Sequence, residues 1–183
     1  MHVVLVTGNA HKVVELASAL PGWHVEGLRL AEEPAEHGAS YAENARIKAL
    51  AGRAHAPEGA WVVGEDSGIE AAGLGGRPGV HSARWDADGV ERMLLELAGA
   101  RDRRARYVCA IVALSPDGDE VVVEGTLEGV IAPVARGSEG FGYDPIFVPD
   151  GEERTVAELG DTWKRAHSHR ARAAAALASA LGR

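Results

Sequence analysis

The residues best suited to chemistry lie in a few short stretches. In "TGNAHK" an apolar run, residues 3–6, ends at Thr7-Gly8-Asn9, and an amphipathic pattern begins at once. The spacing is neither the phosphate loop G-x-x-x-x-G-K-[ST] nor the dinucleotide fingerprint G-x-G-x-x-G. It still has the physics of an anion site. Gly8 lets backbone approach a ligand, Asn9 can cap a helix, and the helix end leaves free N–H groups at its positive pole. Lys12 in the first turn is disfavoured by the helix dipole, which a bound anion would offset. An ordinary strand, turn and capped helix explains the same letters.

The second stretch is "GEDSG". Glu65 and Asp66 follow an apolar run, residues 60–64. Carboxylates there cost desolvation unless a cation or hydrogen-bond donors compensate. Mg²⁺ takes one or two carboxylates together with substrate phosphate oxygens, so Asp66 suits a metal ligand or an acceptor of a proton from water. A turn rich in Asp, Ser and Gly is the plainer reading. In "ASYAENARIKAL", Glu43 shares a helical face with Ile47 and Ala51, and Ser40 with Glu43 fits a capping box. Lys48 lies beside them, and Glu36 precedes them as a metal ligand or a solvated acid. "GFGYDPIF" sets two glycines and two aromatics around Asp144, suited to stacking on a base and bonding its edge, or to a tight turn over the core. "KRAHSHRA" offers Lys164, His167, His169 and Arg170. The i,i+2 spacing of its histidines puts them on different sides of a helix, which makes a zinc site there weak.

The elements that must position these residues follow from periodicity. Strands are expected at residues 3–6, 23–30 and 60–64, helices at 11–20, 40–55 and 89–97, and two long strands at 106–114 and 120–134 around the turn Ser115-Pro116-Asp117-Gly118. "GLGGRPGVHSAR" reads as a loop. A short helix over 155–159 carries a second capping pair, Thr155 and Glu158, and an alanine-rich terminal helix starts at Lys164. Early alternation of strands and helices, then a late hairpin, implies an α/β fold with a mixed twisted sheet and flanking helices. Ligands of such sheets gather at strand C-termini, where Thr7 to Asn9 and Glu65 to Ser67 are expected to lie.

Composition narrows the partners. The 183 residues are 46% hydrophobic with a net charge of −8, which suits a single domain, residues 1–183, and disfavours nonspecific nucleic-acid binding. The one cysteine, Cys109, excludes an internal disulfide and suggests a reducing, cytoplasmic setting. Neither a secretory leader nor an apolar run long enough for a membrane span is read.

Taken together and in order, "TGNAHK", "ENARIKA", "EDSG", "GLGGRPGVHSAR", "FGYDPIF" and "SHRA" resemble the inosine triphosphate pyrophosphatase family along essentially the whole chain. The resemblance implies two lobes around a nucleotide cleft, a homodimer, and Mg²⁺-assisted hydrolysis of ITP, dITP and XTP to the monophosphate and pyrophosphate. By motif, Thr7, Gly8, Asn9, Ala10, His11 and Lys12 would cradle the triphosphate, with Lys48 reaching it and Ser67 touching substrate. Asp66 would bind Mg²⁺ and take the proton of the attacking water, with Glu36 as second metal acid and Glu43 and Glu65 as supporting carboxylates. Phe141, Gly142, Tyr143, Asp144, Lys164, His169 and Arg170 would surround the base. Glu65 stands where the family often has another aspartate. A pyrophosphatase for other modified nucleotides and a non-catalytic nucleotide sensor are the alternatives.

Overall fold

A computed structural model of the chain describes residues 1–182. The elements run β1 (His2–Val6), α1 (Ala10–Ala19), β2 (His24–Leu28), α2 (Tyr41–Arg53), β3 (Trp61–Ala71), α3 (Gly89–Glu96), β4 (Arg104–Leu114), β5 (Glu120–Ile131), β6 (Phe147–Pro149), α4 (Val156–His167) and α5 (His169–Ala180). The strands form one sheet in the order β2-β1-β3-β4-β5-β6. β1 is parallel to β2 and β3, and β5 is antiparallel to β6, so the sheet is mixed, as the element pattern implies.

Contacts divide the chain into two compact units. The first holds residues 1–66, 109–125 and the C-terminal segment from Arg170; the second holds 67–108 and 126–169. In the first unit the strand period of two sorts side chains to opposite faces. Cys109, Ile111 and Ala113 of β4 pack with Leu16 of α1 and with Ala173, Ala174 and Leu177 of α5. The intervening Val112 and Leu114 pack with Ala45 and Ala49 of α2. So α1 and α5 cover one face and α2 the other. On the α2 face the helical side is Ala45 and Ala49 alone, which lets the helix backbone lie close to the sheet. In the second unit Ile69, Ala71, Tyr107, Leu127 and Ile131 of the strands bury against Met93 and Leu97, Phe147 and Val156.

Four stretches differ from expectation. β3 does not stop at Gly64; it continues through Glu65, Asp66 and Ser67 to Ala71, so the two acids are in mid-strand. The expected short helix at 155–159 extends to His167 through a break at Gly160, whose φ of 85° is left-handed. Its capping box is present as expected, with the Thr155 and Glu158 side chains bonding each other's backbone. The chain then leaves helical geometry at Ser168 (φ −63°, ψ 161°) before α5 begins, so His167 and His169 belong to different helices. The stretch read as a glycine-rich loop contains two turns of 3₁₀ helix, Ala72–Leu74 and Gly79–His81.

Candidate active site

β1 delivers the chain to α1 through Thr7, Gly8 and Asn9. Asn9 is the N-cap: its Oδ1 accepts from the His11 N–H at 2.9 Å, and its own N–H donates to Thr7 Oγ1 at 3.1 Å. Gly8, Ala10 and His11 are exposed, which leaves the positive end of α1 open to solvent. Lys12 turns inward. Its Nζ lies 2.6 Å from Glu65 Oε2, while the side chain keeps 17% of its surface exposed. The cation that the dipole argument left to an outside anion therefore already has an inside one.

Glu65 is a buried carboxylate with three neighbours. Arg170 Nη2, at the start of α5, donates to Oε1 at 3.0 Å, Cys109 Sγ lies 3.3 Å from the same oxygen, and Lys12 faces the other oxygen. Arg170 also donates to Glu15 of α1. Burial pushes the Glu65 carboxyl up, but Arg170 and Lys12 outweigh it and hold the group well below the usual range. Burial, reinforced by Glu65, pushes the Cys109 thiol well up, so this cysteine is a protonated core residue and not a nucleophile.

Asp66, one residue on, faces the other helix. Lys48 Nζ donates to its Oδ1 at 3.0 Å and Asn44 Nδ2 to its Oδ2 at 3.0 Å, both from α2. Lys48 Nζ also lies 2.6 Å from Glu36 Oε1 and donates to the Glu65 carbonyl at 3.1 Å. Here burial raises the Asp66 pKa; Lys48 and Asn44 offset part of that rise, and Glu36 adds to it. Burial lowers Lys48, and Asp66 and Glu36 more than reverse it.

Two glycines set this spacing. A Cβ on Gly64 would strike the Ala45 carbonyl oxygen and come within 2.7 Å of Ala49 N, so α2 lies directly on β3 at the residue before the acids. A Cβ on Gly38 would come within 2.6 Å of Glu43 Cβ and 2.8 Å of Asn44 Oδ1. The Gly38 N–H donates to that same Asn44 Oδ1 at 2.8 Å, which pins the loop carrying Glu36 to the residue that orients Asp66. Glu43 is exposed and works in the helix cap: its Oε2 accepts from the Ala39 N–H at 2.6 Å.

Glu36 and Asp66 thus converge on one cationic atom. Two hard carboxylates sharing a single ammonium, with a neutral amide holding one of them, form a donor set that fits Mg²⁺ and its retained waters. Glu65 takes no part, because alternation along β3 turns it toward α1 and α5.

The second unit holds the residues expected around a base. Asp144 is buried and accepts from Lys164 Nζ at 2.6 Å, the Phe141 N–H at 2.8 Å and Tyr107 Oη at 3.2 Å. Its carboxylate is committed to the loop, so an incoming base edge would meet Lys164 and the backbone near exposed Gly142 instead. Lys164 Nζ stands 3.8 Å from the Phe141 ring centroid, a cation–π contact. Tyr143 Oη donates to the Ser82 carbonyl at 3.1 Å, and burial raises its pKa to about 12. His169 stacks on Tyr107 with ring centroids 4.6 Å apart. Ser67 follows Asp66 on β3 and is half-buried. The expected grouping is therefore divided: Arg170 is held in the first unit by Glu15 and Glu65, whereas Lys164 and His169 belong to the second. Sequence reasoning passed over Glu15, Tyr107 and Asn44 as functional residues. Glu15 sits one helical turn after Lys12, a weak signal; Tyr107 offers none, because its partner is 37 residues away.

The Ham1 family profile matches residues 3–180. The chain belongs to the Ham1 family. It is 44% identical to the dITP/XTP pyrophosphatase of Deinococcus deserti, with 97% of this chain and 88% of that protein covered. It is 48% identical to the dITP/XTP pyrophosphatase of Symbiobacterium thermophilum, over 94% and 91% of the two chains. The Ham1 protein of Staphylococcus aureus superposes with a TM-score of 0.86 at 34% identity, covering 100% of this chain and 98% of that one. Among the described residues of this Ham1 chain, no helix is long and apolar enough to cross a membrane.

Proposed function

We propose that this Ham1 protein is a nucleoside triphosphate pyrophosphatase that removes unusual purine nucleotides, dITP and XTP among them, by hydrolysis to the monophosphate and pyrophosphate. The observation that carries the mechanism is the convergence of Asp66 and Glu36 on Lys48. Those two carboxylates are the residues that would hold Mg²⁺, which when bound supplies Lewis-acid stabilisation of the polyphosphate charge. Asp66 Oδ1 and Oδ2 sit in fixed bonds from Lys48 and Asn44, so the carboxylate is aimed without reorganisation. It accepts a proton from the water that attacks the α-phosphorus in line, and pyrophosphate departs. The exposed N-terminus of α1 and the remaining protons of the Lys12 ammonium, which has three donors in all, meet the phosphate oxygens.

The base is read in the second unit. Lys164 offers only donors, which suit the keto oxygen at C6 of hypoxanthine and xanthine and cannot satisfy the amino group of adenine. Phe141 supplies a ring face for stacking. The protein acts as a cytoplasmic homodimer.

A panel of nucleoside triphosphates scored for pyrophosphate release, with and without Mg²⁺, tests this reading. Release from dITP, ITP and XTP at least tenfold faster than from ATP, abolished by chelation, is the expected result. Binding without release would make the protein a sensor. In the same assay Lys164→Gln should lower the dITP/dATP ratio of kcat/KM by about tenfold or more.

A further inference from the structure

At the outer edge of the sheet, far along β1 and β2 from the strand ends that feed the site, three metal-ligating side chains share one face. His2 and His24 are Cα partners in the parallel register of β1 and β2. Neighbouring strands lie about 4.8 Å apart, so two paired side chains on one face are immediate neighbours. Glu26 follows His24 by two residues and returns to the same face. The residues between them point the other way: Val3 and Val25 pack into the core beneath α1 and α5.

The geometry is close to a coordination shell. His2 Nε2 lies 2.7 Å from Glu26 Oε1, and His24 Nε2 lies 4.0 Å from Glu26 Oε2. The imidazole centroids are 4.9 Å apart, with the rings tilted by 42°. One ligand atom from each residue falls within 4.8 Å of the other two, and this is the one such trio among the described residues. Zinc with nitrogen ligands at about 2.0–2.1 Å places tetrahedral neighbours about 3.3 Å apart. The His2–Glu26 pair, now at hydrogen-bonding distance, needs to open only by about half an ångström to reach that spacing. His24 is the outlier and also the freest of the three, with 72% of its side chain exposed, so rotation about its own side-chain bonds closes the set.

We propose that His2, His24 and Glu26 form a second metal site, selective for a divalent ion that prefers imidazole, Zn²⁺ above all. Two imidazoles and one carboxylate leave a fourth position for water. This chemistry is unlike that of Glu36 and Asp66, whose oxygen-only donors favour Mg²⁺. The ion joins the first strand to β2, the edge strand of the sheet, and ties down backbone that is otherwise open to pairing with another chain. The site is built wholly from residues outside the proposed catalytic machinery, so it acts on the stability of the edge and not on turnover.

The test titrates the whole protein with Zn²⁺ by calorimetry while Mg²⁺ is in large excess to occupy the oxygen-donor site. The wild type should bind one equivalent, and Zn²⁺ should raise its Tm. His24→Ala and Glu26→Gln should each bind at least about tenfold more weakly, since even the loss of a group that only orients a ligand costs about 10–100-fold. Their Tm should no longer respond to Zn²⁺, while pyrophosphate release with Mg²⁺ stays at the wild-type rate. A parallel titration with Co²⁺ should give visible absorption bands in the wild type that both variants lose. Equal Zn²⁺ affinity in wild type and variants, or no binding in the wild type, would overturn the site and leave His2 and Glu26 as a simple ion pair across two strands.

Discussion

Glu65 and Asp66 are consecutive on β3, yet the two faces of the sheet treat them in opposite ways. On the α1/α5 face Glu65 meets two cations, the Lys12 ammonium and the Arg170 guanidinium that also reaches Glu15, and its charge is held well below the ordinary glutamate pKa. On the α2 face Asp66 shares one ammonium with Glu36, and its pKa is raised by burial that this half-share does not repay. The first carboxylate is saturated and the second is short of positive charge. A group that must take up a proton or a divalent cation has to be the unsaturated one. Placement of two adjacent acids on opposite faces of a strand lets one serve the fold and the other the reaction.

The contrast is sharpest in the neutral variants. Asp66→Asn should lower kcat for dITP by about 10²–10⁴-fold, the usual contribution of a positioned base. Without metal its Tm should be unchanged or higher, because an aspartate with a raised folded pKa costs stability once pH exceeds that pKa. Activity within tenfold of wild type would remove Asp66 from the centre of the chemistry. Glu65→Gln should do the reverse. Removing one member of a buried ion-pair cluster costs on the order of 3–5 kcal/mol, a fall in Tm on the order of 10 °C. The pH dependence follows from the depressed pKa. The stabilisation by Glu65 is complete above its unfolded value, near 4.5, and fades only as pH falls through the lower folded value. The Tm gap between wild type and variant should therefore persist from neutral pH to about 5 and narrow only in stronger acid. A gap that closes already between pH 7 and 5 would show that the cluster does not hold the charge.

The smallest of these effects carries the clearest sign. A lysine at a helix N-terminus is unfavourable by a few tenths of a kcal/mol, so Lys12→Ala judged from α1 alone should be neutral or stabilising. Beside Glu65 the same change removes a charge-assisted contact of about 1.5–3 kcal/mol. Thermal melts should show a modest loss of stability, smaller than that of Glu65→Gln because Arg170 remains. A Tm at or above wild type would mean that the dipole outweighs the ion pair.

Local signals were legible and distant partners were not. β1, the Asn9 cap and α1 follow from a short apolar run and one helical turn of spacing. The Thr155–Glu158 box is complete within four residues. The end of β3 was misread because Glu65 and Asp66 disfavour a strand when taken alone. Their stabilising cations come from Lys12, Lys48 and Arg170, up to 105 positions away, and no local pattern announces them. The same distance hid Arg170. "SHRA" reads as a single cluster of basic groups, but His169 and Arg170 are consecutive on α5, about 100° apart around the helix, and His169 reaches Tyr107 while Arg170 reaches Glu65. Periodicity shows that neighbours on a helix point apart, but not which distant partners each will meet.

Gly64 has no functional group, yet the distance from Asn44 and Lys48 to Asp66 depends on it. A methyl group there must displace α2, because the obstacle is the Ala45 carbonyl and the Ala49 nitrogen, rigid parts of the helix that cannot swing aside. In a library of random substitutions selected for clearance of toxic nucleotides, this position should be as intolerant as Asp66. Gly64→Ala should be among the silent-looking changes that abolish growth protection, and a method that ranks positions by chemical reactivity would miss it.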